Sequence, residues 1–185
     1  MLGLLLAALP AVAAEGAELK AGVFEPARPA PDFSLPASDG SDLNLERFRG
    51  KVVVLGFGFT SCPDVCPVTL AILAQARRKL GELAEDLQVV YITVDPERDD
   101  AEQMRKYLAA FDPTFIGGTG TGGELAAVRE EYGIIAKKHA EGDNYTFAHS
   151  SYTYLIDRDG KLRALMTYGH SADDFAHDIR ILLQE

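Results

Sequence analysis

The feature that most constrains this chain is the unbroken apolar run Val52-Val53-Val54-Leu55-Gly56-Phe57-Gly58-Phe59. A strand with one wet face alternates apolar and polar residues, and this run does not. It fits a strand buried on both faces, inside a sheet covered on both sides. The run passes directly into Thr60-Ser61-Cys62-Pro63-Asp64-Val65-Cys66-Pro67. In open α/β sheets a strand-to-helix junction is where sites form.

The rest of the chain supplies the other layers. Residues 67–80 read as a helix with Leu70, Leu73 and Leu80 on one face, Arg77-Arg78-Lys79 in the last turn and Gly81 as the stop. Leu87 to Val94 is a second apolar strand. Asp99 is the expected cap of a helix carrying Met104, Tyr107, Leu108 and Phe111 at helical spacing, ended by Asp112-Pro113. Gly117 to Gly123 reads as a glycine-rich turn before a helix with Leu125, Val128 and Tyr132, stopped at Gly133. Tyr152 to Asp157 and Lys161 to Thr167 read as a hairpin around Arg158-Asp159-Gly160. Ser171 and Asp174 form a capping box for a last helix with Phe175, Ile179 and Leu182 inward. This order predicts an α/β domain, a central mixed sheet flanked by helices. Its strand-then-helix start points to a thioredoxin-like fold, which periodicity does not separate from flavodoxin-like order.

Cys62 and Cys66 are the chain's two cysteines. A bridge between them closes a very short loop and adds little global stability, so the pair points to chemistry rather than stapling. Unpaired amides and the positive dipole end of the helix favour thiolates there. With three residues between them, both sulfurs project from one face of a helical turn, able to chelate a metal or close a disulfide. Two thiolates leave a metal undercoordinated, and four histidines are candidates to complete it. His177 reads as a solvated helix position, His170 as local structure before the last cap, and His139 as part of a polar stretch. His149 precedes the strand that begins near Ser151. In a thioredoxin-like chain the loop entering that strand faces the cysteines and usually holds a cis-proline, for which Ser151 stands here. His149 is therefore the best placed of the four. Asp95 to Asp99 reads as a strand-end turn followed by the helix cap rather than as a direct metal ligand, with an indirect role in docking a partner or positioning the site left open.

Residues 1–14 carry no charged side chain and end in the small-residue pattern Ala11-Val12-Ala13. They predict a signal peptide or the remnant of a membrane anchor, the apolar run being short of the roughly 20 residues of a spanning helix. Residues 15–30, rich in Ala, Pro and Glu, read as a linker, and 31–185 as the domain. The formal net charge of −10 argues against a nucleic-acid surface.

Five features in order give the chain a family resemblance. They are Phe57-x-Phe59-Thr60-x-Cys62-Pro63-Asp64-x-Cys66-Pro67, Val94-Asp95-Pro96-Glu97-Arg98-Asp99, Thr119-Gly120-Thr121, His149-Ser150 before Tyr154-Leu155-Ile156-Asp157, and Asp159-Gly160. From about Pro31 onward the chain resembles the Sco/SenC family of copper-binding cytochrome c oxidase assembly factors. The resemblance implies a thioredoxin fold and a mononuclear copper site of Cys62, Cys66 and His149. It also implies copper delivery to the dinuclear centre of oxidase subunit II, or reduction of that centre's cysteines with Cys62 and Cys66 as the redox pair. Many relatives carry an acidic residue before the ligand histidine, where this chain has Ala148. Soft thiolates with one imidazole suit Cu(I), and Cu(II) takes the same donors with a water or carboxylate added. An exported dithiol tends to oxidise, so the further expected partners are a thiol reductant protein, another copper chaperone and a membrane tether.

Overall fold

The computed structural model describes residues 18–185. The predicted leader, residues 1–14, lies outside them. The elements in chain order are β1 (Gly22–Pro29), β2 (Leu35–Pro36), β3 (Asp42–Leu43), β4 (Val52–Gly58), α1 (Val65–Leu80), β5 (Leu87–Thr93), α2 (Ala101–Ala109), β6 (Ile116–Gly118), α3 (Gly122–Glu131), β7 (Ala136–Glu141), β8 (Asn144–His149), β9 (Thr153–Ile156), β10 (Lys161–Met166) and α4 (Ala172–Gln184).

Six strands form a mixed sheet in the order β1-β10-β9-β4-β5-β6. β4, β5 and β6 run parallel; β9 is antiparallel to β4, and β10 is antiparallel to β9 and so points the same way as β4. Val54 of β4 pairs with Val89 on one side and Leu155 on the other. All seven residues of β4 are buried, as the unbroken apolar run requires. α1 turns Leu70, Leu73, Ala74 and Leu80 inward and packs on α4. Each such leucine contributes on the order of 2 kcal/mol of burial. α4 opens with the predicted capping box: Ser171 accepts from the Asp174 amide and Asp174 from the Ser171 amide. α3 ends as expected at Gly133 (φ 64°). There the Ile134 amide donates to Arg129 at 2.7 Å and the Gly133 amide to Glu130 at 3.0 Å, the pairing of a Schellman stop.

Four expectations change. Residues 22–29, read as linker, form edge strand β1 paired with β10. Nearly every β1 residue is exposed, so no apolar alternation marks it. Gly117 and Gly118, read as turn, are the end of strand β6. A Cβ at Gly117 would press on Met104 and Leu108 of α2, and one at Gly118 on Leu43 and Ile92; the close packing on both faces calls for glycine there. The cap of α2 is Asp100, whose side chain accepts from the Gln103 amide at 2.8 Å. Asp99 is instead fully buried. Finally, α1 begins at Val65, so Pro67 is its third residue, still inside the first turn where amides lack helical partners.

Candidate metal centre

β4 ends under the first turn of α1, and the loop between them holds Cys62. Cys66 lies in that first helical turn and is 1% exposed. Cys62, in the loop before the helix, is half-buried. The third group arrives from 83 residues away, at the last position of β8. Cys66 Sγ lies 3.3 Å from His149 Nε2. The sulfurs of Cys62 and Cys66 and a ring nitrogen of His149 all fall within 4.8 Å of one another.

The tautomer of His149 follows from its neighbour. Nδ1 lies 2.9 Å from the Ser150 carbonyl oxygen, which only accepts, so Nδ1 carries the proton. Nε2 is left with a free lone pair aimed at the sulfurs. The ring packs edge-on against Phe59 at 5.8 Å. The hairpin base is closed by the Ser150 amide to the Ile135 carbonyl at 2.9 Å and the Ile135 amide to Ser150 Oγ at 3.1 Å.

The two sulfurs are unequal. The Cys66 thiol donates to Cys62 and is the main reason the Cys62 thiol is held down at about 4. Partial burial opposes this, and the amides of Asp64 and Cys66 add to it. That same hydrogen bond to Cys62, and then burial, push the Cys66 thiol well above its ordinary value. The pair thus holds one proton on the inner sulfur and a thiolate on the outer one.

Asp95-Pro96-Glu97-Arg98-Asp99 braces the site from both sides. Asp99 accepts from the Thr60 amide at 2.9 Å, from Thr60 Oγ1 at 2.6 Å and from Thr93 Oγ1 at 2.6 Å. It thereby ties the loop leading to Cys62 onto β5. Asp95 is fully buried and accepts from Arg98 Nε and, at 2.9 Å, from the Tyr145 hydroxyl of β8. Arg98 reaches the Tyr145 carbonyl at 3.1 Å and lies 3.9 Å over its ring. Lys138 of β7 bonds Glu97 at 2.7 Å. The β7–β8 hairpin, and with it His149, is thus held by this segment, the positioning role that its turn-and-cap pattern left open.

The other histidines stand apart. His139 lies on exposed β7, opposite Thr146. His177 lies on α4 with its side chain 38% exposed and Nδ1 2.8 Å from Asp178 Oδ1. His170 lines a neighbouring cavity with Tyr168 and Phe175. Ser151 lines the same cavity as Cys66, Tyr91 and His149. Ala148 is exposed and leaves the strand on the opposite face to His149 by strand alternation.

Fold and site together define a thioredoxin-like protein with two thiols and an imidazole gathered at the first strand–helix junction. Residues 24–184 match the SCO1/SenC family model, and the chain belongs to that family. It is 38% identical over 133 residues to the SCO2-like protein of Rickettsia conorii, covering 70% of this chain and 65% of that protein; it thus spans a little under two thirds of that relative. Among solved structures it resembles Bradyrhizobium japonicum ScoI with copper bound (TM-score 0.77, 34% identity, 83% of this chain and 98% of that one). It also resembles BsSco, described by a disulfide switch and as a member of the Sco family of cytochrome c oxidase assembly proteins (TM-score 0.70, 25% identity, 88% and 98%).

Proposed function

We propose that this chain carries one copper ion on Cys62 Sγ, Cys66 Sγ and His149 Nε2, and delivers it to the dinuclear copper centre of cytochrome c oxidase subunit II during assembly. The observation that supports this most is the cluster itself: two sulfurs and a lone-pair nitrogen within 4.8 Å of one another. That donor set is soft and three-membered, which suits Cu(I) and leaves a side open for ligand exchange. Zinc favours a fourth protein ligand at a structural site, and no further His, Cys, Asp or Glu joins this group among the described residues. The half-buried Cys62 is the sulfur a recipient reaches first.

A second reading has its own support, the thiolate character of Cys62 beside a buried Cys66. In it, the Cys62 thiolate attacks a disulfide of the recipient and forms a mixed disulfide. Cys66 then displaces the recipient's second sulfur, leaving a Cys62–Cys66 disulfide here and a dithiol there. A thiol reductant protein must restore the pair in either reading. The chain acts outside the cytoplasm, exported or tethered through residues 1–14, and another copper chaperone supplies the metal.

The discriminating experiment mixes copper-loaded protein with reduced, metal-free subunit II copper domain, and metal-free reduced protein with the oxidised domain. Copper moving in the first mixture supports the chaperone. Thiols exchanging in the second, with no copper transfer in the first, supports the reductase and overturns the chaperone.

A further inference from the structure

Tyr91 lies in the middle of β5, opposite Gly56 of β4, and is 2% exposed. A Cβ at Gly56 would stand 2.9 Å from two carbons of the Tyr91 ring. A Cβ at Gly58 would stand 2.1 Å from the Tyr91 hydroxyl oxygen and 2.7 Å from Cys66 Sγ. Gly56 and Gly58 are two apart and share a face of β4. The ring therefore lies along a trough made by two missing side chains, and its hydroxyl meets the Cys66 sulfur above Gly58. A buried phenol O–H needs an acceptor, and the group at its tip is this sulfur. The geometry calls for Gly-x-Gly directly before the cysteine loop, a pattern the apolar run concealed.

We propose that Tyr91 is a positioning residue for the sulfur of Cys66: its hydroxyl donates to Sγ and tunes that one sulfur. This inference rests on the copper reading for its metal-bound consequences. In the metal-free protein it completes a chain, Tyr91 O–H to Cys66 S–H to the Cys62 thiolate, whose members polarise one another. With copper on the sulfurs, a hydrogen bond to a thiolate draws density from it, favouring Cu(I) over Cu(II). No bond is made or broken by Tyr91.

The test is Tyr91→Phe, which keeps the ring in its trough and removes the hydroxyl. With copper, binding stays at one ion per chain. The thiolate-to-Cu(II) charge-transfer band moves to lower energy, and the Cu(I):Cu(II) affinity ratio falls about ten-fold, or about 60 mV for one electron. Without metal, the Cys62–Cys66 dithiol is destabilised against its disulfide, also by about ten-fold, close to 30 mV for two electrons. His149→Ala separates the two claims. If it abolishes tight copper binding while Tyr91→Phe leaves band, ratio and metal-free potential at wild-type values, the copper reading stands and Tyr91 is only filler. If wild-type protein holds no copper, the metal-free potential decides alone, and an unshifted value overturns the proposal.

Discussion

Asp99→Ala removes one side chain and strands three donors. The carboxylate is fully buried and accepts from the Thr60 amide, the Thr60 hydroxyl and the Thr93 hydroxyl. Thr60 is half-buried, so water re-bonds its hydroxyl. The Thr60 amide and the buried Thr93 hydroxyl are left facing a small void, each costing about 1–3 kcal/mol. The sum is a loss of about 4 kcal/mol. Asp99→Asn keeps the shape and one carbonyl oxygen, and its amide can donate to the Thr60 hydroxyl. It gives up only the charge assistance, about 1 kcal/mol. The assay is urea unfolding of the metal-free, reduced protein, where a domain of this size has a slope of about 2 kcal/mol per molar. The midpoint should fall by about 2 M for Ala and by about 0.5 M for Asn, with unchanged slope. Because Thr60 lies two residues before Cys62, the Ala variant should also bind Cu(I) about 10-fold more weakly. An Ala variant within about 1 kcal/mol of wild type would show that Asp99 does not hold Thr60 and Thr93 in place.

Three further outcomes are expected. Arg98→Ala leaves the buried Asp95 carboxylate without its cation and should cost about 3 kcal/mol, with faster amide exchange across the β7–β8 hairpin as the readout. Asp178→Ala removes the acceptor of the Lys20 and Ala21 amides, both at 2.9 Å; limited proteolysis should then cut before residue 22 while β4 and β5 stay protected. For pH, the folded Cys62 value of about 4 lies below its ordinary 9.0, so between those values the folded protein binds fewer protons at Cys62 than the unfolded chain. Stability of the reduced, metal-free form should rise from about pH 4 to pH 9. Above that it should fall, because folded Cys66 keeps a proton that the unfolded chain releases. Chemical denaturation across pH checks the sign at both ends.

Some of this molecule was plain in its sequence and some was not, for physical reasons. The run at 52–59 fitted a covered strand, and the cysteines at its end marked the site. The Ser171–Asp174 box and Gly133 are local chemistry and read correctly. β1 and β7 were missed because their residues are mostly exposed, and exposed strands held by backbone bonds leave no apolar period; β8 is mostly half-buried, and the alternation of Tyr145, Phe147 and His149 was its one signal. His149 was found by its place before a strand, without the hairpin that carries it. The reach of Asp95, Arg98 and Asp99 to Tyr145 and Thr60 spans about 40 to 50 residues, and no local pattern encodes such contacts. The meeting of Tyr91 with Cys66 was hidden for the same reason, since it depends on the register of two strands.

The proposed function requires that Cys62, Cys66 and His149 act as one copper site. Its most direct measurement is Cu(I) affinity of the reduced protein in competition with a chromophoric chelator, for wild type and His149→Ala. One Cu(I) per wild-type chain is expected, with an affinity at least about 10-fold weaker for the variant. Equal affinity in the two proteins would contradict it.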